Sequence, residues 1–425
     1  MTDTTQSTTA TPDTSIRTSE PPTGTGPLLK REARLAWGLL FPTIAIVSAV
    51  VILPLLSIFW ISFKPIGLAD LRPPAPVVRE ALRGSGDELR IQYRLRNSSQ
   101  SEVISGVTLT DVIPDGVIIN SSDPRCSINS GEVFCDLGDL DGGARDEIEL
   151  LVSLDGDEDA IEEAIEGSEP ELTGSGNNIL TNAEFTGENF ARVFDGDEFW
   201  GVLWVTMFYT VFGTVGALLF GLFAALLLNH EFKGQGVLRG LYLFPYVAPV
   251  IAVAFAWIIL FDPFSGSANA LLVQMGVTDE AINFFGERPL ALIMVTVFEI
   301  WRYFPLSFLF ILARMQSIDT DMYEAADMDG ASPFQKFWYL SVPQLLGILS
   351  VLFLLRFIWT FNKFDDIFLL TGGNAGTRTL TVNVYEQAFA VSNIGAGAAV
   401  AVVIFCCLLL FSVFFFKYVS REEGL

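Results

Sequence analysis

The chain has 425 residues, 51% of them hydrophobic and only 17% charged, with a mean hydropathy of +0.46. That excludes an ordinary water-soluble domain and points to an integral membrane protein carrying extra folded mass outside its spans. The net charge is −24, and residues 67–199 hold 29 of the 49 acids but only 9 Arg and no Lys, a local balance of −20. Such a surface repels phosphate backbones, so no nucleic acid partner is expected. It also suits a solvent of high salt, which screens the repulsion, and so hints at a halophilic source.

Residues 1–29 contain ten Thr and no apolar run. They offer neither the h-region of a signal peptide nor a core, and a disordered tail is expected. Uncharged stretches then occupy residues 35–63, 199–229, 240–261 and 387–416, each longer than the roughly 20 residues that cross a hydrocarbon core. Two further apolar stretches carry charge: 289–313, interrupted by Glu299 and Arg302, and 344–371, interrupted by Arg356, Lys363, Asp365 and Asp366. The expected fold is an all-α polytopic bundle of six spans in a plasma membrane. Lys30, Arg31, Arg34, Lys233, Arg239, Arg314, Lys336, Lys417 and Arg421 fall in segments that place both termini in the cytoplasm, with Arg288 and Arg378 as exceptions on the outer side.

Residues 65–198 then face outward as an inserted domain. Leu89, Ile91, Tyr93 and Leu95 alternate with Arg90, Gln92, Arg94 and Arg96, the period of a strand. Further strands are expected at 107–112, 117–119, 133–135 and 148–154, separated by Asn97-Ser98-Ser99, Pro114-Asp115-Gly116 and Asp141-Gly142-Gly143. Short strands at this spacing predict a small all-β sandwich. The stretch resembles the immunoglobulin-like repeats of prokaryotic surface proteins. Cys126 and Cys135 bracket a predicted hairpin in an oxidising compartment; a disulfide is the first reading and two free thiols the second. Residues 155–171 are dominated by acids without the spacing of a calcium loop, so a solvated linker is expected rather than a metal site.

In span three, Pro245 and Pro249 predict a kink, either at the pathway or as a plain bend. Trp37, Trp60, Trp200 and Trp257 read as interfacial anchors, and Cys406 and Cys407 as small apolar fillers of the last span. Arg302 lies 11 residues above Ala313 and Arg356 12 residues above Gln344, about 16 and 18 Å along their helices. At that shared depth Glu299 can neutralise either one. Glu299, Arg302, Arg356 and Asn362 therefore line a polar solute pathway or form a scaffolding ion pair; both readings stand.

The richest punctuation lies between spans four and five, in residues 314–343. Asp319 or Thr320 can cap a short helix, Gly330 can end it in a left-handed turn, and Ser332-Pro333 can start a second short helix before Pro343 opens span five. Glu324, Ala325, Ala326, Gly330, Leu340, Val342 and Pro343 resemble the EAA loop of ATP-binding-cassette importer permeases. Pro245, the segment from Phe264 to Leu272, Ile300-Trp301-Arg302, Phe364-Asp365-Asp366 and the run from Gly395 to Ala399 are similar to the first permease of importers in the maltose and glycerol-3-phosphate branch.

The resemblance implies a MetI-like permease core over 199–420, after a first span at 30–64. It makes Glu324, Ala325, Ala326, Asp329, Gly330, Ala331 and Pro343 a coupling loop for a separate ATPase. It also implies a second permease, two ATPase subunits and an outer solute-binding protein as partners, for a sugar or polyol or else a non-sugar solute such as a polyamine. In the maltose member the outer insertion follows the third span, whereas here it follows the first, leaving a docking role and a salt-adapted surface role both open. No Gly-x-x-x-x-Gly-Lys-[Ser/Thr] loop and no clustered metal ligands are present, so neither an enzyme nor a bound cofactor is expected; ATP with its magnesium belongs to the partner. A polytopic surface sensor is the competing class.

Overall fold

The computed structural model describes residues 27–84, 88–100, 102–129, 131–156, 158–194 and 198–418. The tail expected at residues 1–29 falls almost wholly outside these, as does Arg421. Five helices are long and apolar enough to span a membrane: Arg31–Ser62, Glu198–Leu228, Leu290–Gln316, Pro333–Phe361 and Ile394–Tyr418. The helices Gln235–Val247 and Val250–Leu260 are apolar enough to make a sixth span if counted together, but they meet at 91°. Pro249 stands at the break in an extended conformation, and its missing N–H and ring clash explain why the helix cannot run through it. The change of direction is far larger than the kink the two prolines predict.

Two other boundaries differ from expectation. Span five ends at Phe361, and Asp365–Thr371 forms a separate short helix, because Asn362 and Lys363 leave the helix and two acids start a new first turn. Span six begins at Ile394, after a π-turn at Glu386–Ala390 and a bend at Ser392 with φ +60°. The chain between them thus packs Ile367, Leu370, Leu380 and Val382 into the bundle core rather than lengthening either span.

Spans two and four make the tightest helix pair. A Cβ at Gly221 would sit 2.6 Å from the Ser307 Cβ, and one at Gly213 would sit 2.9 Å from the Glu299 Cγ. Only glycine lets the backbones come this close, which is how membrane helices gain packing without a hydrophobic drive. Trp257, expected at an interface, instead packs between Phe298 and Trp301. Cys406 is exposed rather than a filler.

Residues 76–176 fold as two antiparallel four-stranded sheets. One has the order β1 (Pro76–Arg83), β2 (Arg90–Asn97), β7 (Arg145–Leu154), β4 (Val117–Ser121); the other has β5 (Cys126–Asn129), β6 (Glu132–Leu140), β3 (Ile104–Val112), β8 (Glu171–Gly176). Ile91, Tyr93, Leu95, Leu109, Val133, Ile148 and Leu150 fill the space between them. Across that core the Tyr93 hydroxyl donates to the Asp111 carboxylate at 2.6 Å. Cys126 faces Cys135 in register, and their sulfurs are bonded. The acidic run is not a linker. Its helix Glu158–Glu166 buries Ile161 and Ile165 in the core, and Glu171–Gly176 closes the second sheet. Two buried isoleucines four residues apart outweigh the charge around them.

The chain leaves and rejoins the bundle through one stitched base. The Lys64 ammonium is buried and donates to the Asn182 Oδ1 at 2.8 Å, Asn189 Nδ2 donates to the carbonyls of Ser62 and Lys64, and the Gly395 N–H donates to the Ile66 carbonyl. Trp60 donates its indole N–H to the Leu180 carbonyl at 2.8 Å, the wet end of an otherwise apolar ring.

Candidate functional site

The loop between spans four and five begins where Arg314 closes span four, its guanidinium donating to the backbone and side-chain oxygens of Gln344 at 3.1 Å. Asp319 caps the helix Thr320–Met328 by accepting from the Asp321 N–H at 3.1 Å. Gly330 ends it at φ +75°, a conformation that costs any residue with a Cβ. Ser332 and Gln335 then form a reciprocal capping box at the start of Pro333–Lys336.

The second helix is not the separate short one expected before Pro343. It passes through a π-turn at Phe337–Ser341 straight into Val342–Phe361, and the π-turn lies immediately before Pro343, whose missing N–H interrupts the regular ladder there. The elbow is therefore one hinge-like helix joined to a continuous lever. Lys336 pairs with Asp327 at 2.6 Å, and Tyr323 shares a 2.9 Å hydrogen bond with Ser341, so both arms are braced. Glu324, Ala325, Asp329 and Gly330 are exposed, Ala326 and Ala331 half-buried. Met328, Phe334, Trp338 and Tyr339 are exposed, and Tyr339 lines a hollow of about 300 Å³ together with Ala326, Gly330 and Ala331. Clustered apolar side chains of that kind mark a surface that meets a partner.

The intramembrane charges divide into two groups. Glu299 is 1% exposed and accepts from Arg356 Nη2 at 2.7 Å, Thr360 Oγ1 at 3.0 Å and Tyr209 at 3.0 Å. One carboxylate thus ties span two to span four and span five, a burial that only a full set of partners makes tolerable. Arg302 does not pair with it. Its guanidinium donates to the carbonyls of Pro245 and Ala248 at 3.1 and 3.0 Å, the acceptors freed by the break in span three. Asn362 is exposed and donates to the Ile358 carbonyl at the end of span five. Glu299, Arg302 and Arg356 are thus buried within this chain, while Asn362 stands exposed at a helix terminus.

Sequence patterns alone miss Tyr209, Thr360 and Tyr303. Tyr303 lies under both Arg356 and Lys363, 4.8 and 4.3 Å from its ring centre, and Lys363 also hydrogen-bonds its hydroxyl. A tyrosine at helical spacing from Glu299 is the only signal, and it reads equally as core. Among the described residues no group of three metal-ligating side chains is present.

The family described as "Binding-protein-dependent transport system inner membrane component" matches residues 217–422, beginning after the sandwich and including the elbow. The inner membrane ABC transporter permease protein YcjO of Escherichia coli (strain K12) is 36% identical over 226 residues, 53% of this chain and 75% of that protein. The trehalose/maltose transport system permease protein MalF of Thermococcus litoralis is 33% identical over 230 residues, 54% and 77% of the two chains. A chain of a bacterial ABC transporter involved in the import of alginate superposes with a TM-score of 0.52 at 19% identity, over 57% of this chain and 86% of that one, a likeness of fold. The chain accordingly belongs to the inner membrane components of binding-protein-dependent transport systems, the permease subunits of ABC transporters.

Proposed function

We propose that this permease forms half of the membrane pathway for a sugar or polyol, and that its elbow carries the stroke of a separate ATPase to spans four and five. The observation that supports the coupling role is the bracing of the elbow. Arg314 fixes one arm to Gln344, Lys336 and Tyr323 hold the helix to the lever, and apolar Met328, Phe334 and Trp338 are exposed on the elbow. A displacement applied to the Thr320–Met328 helix has no slack to be lost in, so it reaches the base of span five and through Arg356 the Glu299 knot. Nucleotide binding by a partner is the source of that displacement, since the chain carries no phosphate-binding loop of its own.

The sugar assignment draws on the relative named for trehalose and maltose. The remaining assembly in this reading is a second permease, two ATPase subunits and a solute-binding protein on the outer side, with both termini of this chain inside and the sandwich outside. Uptake of labelled disaccharide into proteoliposomes holding that assembly, competed by unlabelled sugar, polyol and polyamine, tests it. Competition by sugar or polyol alone supports the assignment; competition by polyamine alone replaces it with the non-sugar reading.

A further inference from the structure

The outward face of the β1-β2-β7 sheet runs against the composition of its domain. Register places Arg83 opposite Arg90, Arg79 opposite Arg94, and Arg96 opposite Arg145, while Ile91, Tyr93, Leu95, Ile148 and Leu150 point the other way into the core. Six of the 9 arginines in residues 67–199 therefore share one face, on which Glu147 and Glu149 are the acids, although the segment holds 29. Arg90 meets Glu149 at 3.3 Å and Arg94 meets Glu147 at 3.6 Å. Among the described residues no carboxylate lies within ion-pair distance of Arg79, Arg83, Arg96 or Arg145, and all six arginines are exposed.

Like charges directly opposite in a sheet destabilise it. Guarding an open edge would explain arginines on β1, but β2 and β7 are interior strands, so edge protection does not account for Arg90, Arg94, Arg96 and Arg145. We propose that this face is a binding strip for an acidic polysaccharide. Along β2 the positive side chains are spaced by about 13 Å from Arg90 to Arg94, with Gln92 between them, and by about 6.7 Å from Arg94 to Arg96, while across strands they lie at about 4.8 Å, so the strip presents charge along a line rather than in a pocket. Guanidinium forks match planar carboxylates and sulfate esters in pairs. A hollow of about 570 Å³ lies along the strip, where Arg79, Arg94, Arg96 and Arg145 outnumber Asp146 and Glu147, whereas the neighbouring hollow of about 450 Å³ sets Arg90 against Asp123, Glu147 and Glu149 and marks the acidic end of the strip. The first combines apolar Val77 with its arginines, as an anionic sugar ring requires. The segment as a whole remains strongly acidic, so a broad polyanion such as duplex nucleic acid is repelled by it.

The outward placement of the sandwich matters here only for where the polysaccharide comes from; binding by the purified chain is independent of the permease reading. The test is affinity of the full chain in zwitterionic nanodiscs for polygalacturonate oligomers, with dextran, polyglutamate and phosphatidylglycerol vesicles as comparisons, at low and high salt. Expected are binding of polygalacturonate but not dextran, weakening with salt, and a loss of about tenfold or more in the Arg94→Glu/Arg96→Glu variant. If that variant fails to fold, Arg94→Gln/Arg96→Gln gives the same reading. Absence of polygalacturonate binding at low salt, equal binding by the variants, or equal or tighter binding of polyglutamate or the vesicles overturns the proposal.

Discussion

Glu299 carries more of the bundle than any neighbouring charge, because three side chains from two other spans end on its two oxygens. Removing one partner leaves the other charge buried and unpaired, so Arg356→Leu should destabilise the purified chain by about 3–5 kcal/mol. Replacing both, Glu299→Met with Arg356→Leu, should recover most of that loss, and uptake should survive in the double variant if the pair is scaffold. Melting curves with transport assays check this; a stable double variant that has lost uptake would return the pair to the pathway. Gly330 makes a different demand. Its φ of +75° suits Asn nearly as well as Gly, but no β-branched residue. Gly330→Asn should keep uptake and Gly330→Val should reduce it by about tenfold or more while leaving the bundle folded, since the strain of about 1–2 kcal/mol falls on the elbow alone.

At the scale of elements the sandwich offers the cleanest measurements. Glu80 lies beside Ser168, Asp111 and Tyr93, and burial pushes its carboxyl from 4.5 up to about 7, with the Asp111 charge adding to the effect. The folded state thus holds a proton the unfolded chain releases. Its stabilising effect is complete below pH 4.5 and is lost as pH rises through 7, on the order of 2 kcal/mol in all. Hydrogen exchange of β2 amides should show wild-type protection falling relative to Glu80→Gln over that window; parallel profiles would contradict it. Opening the Cys126–Cys135 hairpin by Cys126→Ser/Cys135→Ser should cost the sandwich about 2–3 kcal/mol, read in the same experiment.

The elements that sequence alone discloses are those whose signal is local. The strand at β2 shows in strict alternation, the capped elbow in Asp319, Gly330 and Ser332-Pro333, and the spans in bare hydropathy. Those it conceals depend on distant partners. β1 and β8 are absent from the expected strands because they form only when the other strands of their sheets provide a ladder, the helix Glu158–Glu166 is helical because Ile161 and Ile165 reach the core, and Arg302 declares its role only once Pro249 has broken the helix packed against it.

As a whole the molecule joins a family permease core to a β-sandwich inserted after the first span, through a base in which Lys64, Asn182 and Asn189 hold both chain crossings. The account stands or falls on whether the elbow meets a motor. A single cysteine placed by Ala325→Cys, in a chain also carrying Cys406→Ala and Cys407→Ala, should cross-link to the ATPase subunit in the assembled transporter, with a yield that changes between nucleotide-free and ATP-bound states. An ATPase that copurifies yet never cross-links from this position, or an active assembly that contains no ATPase at all, would contradict it.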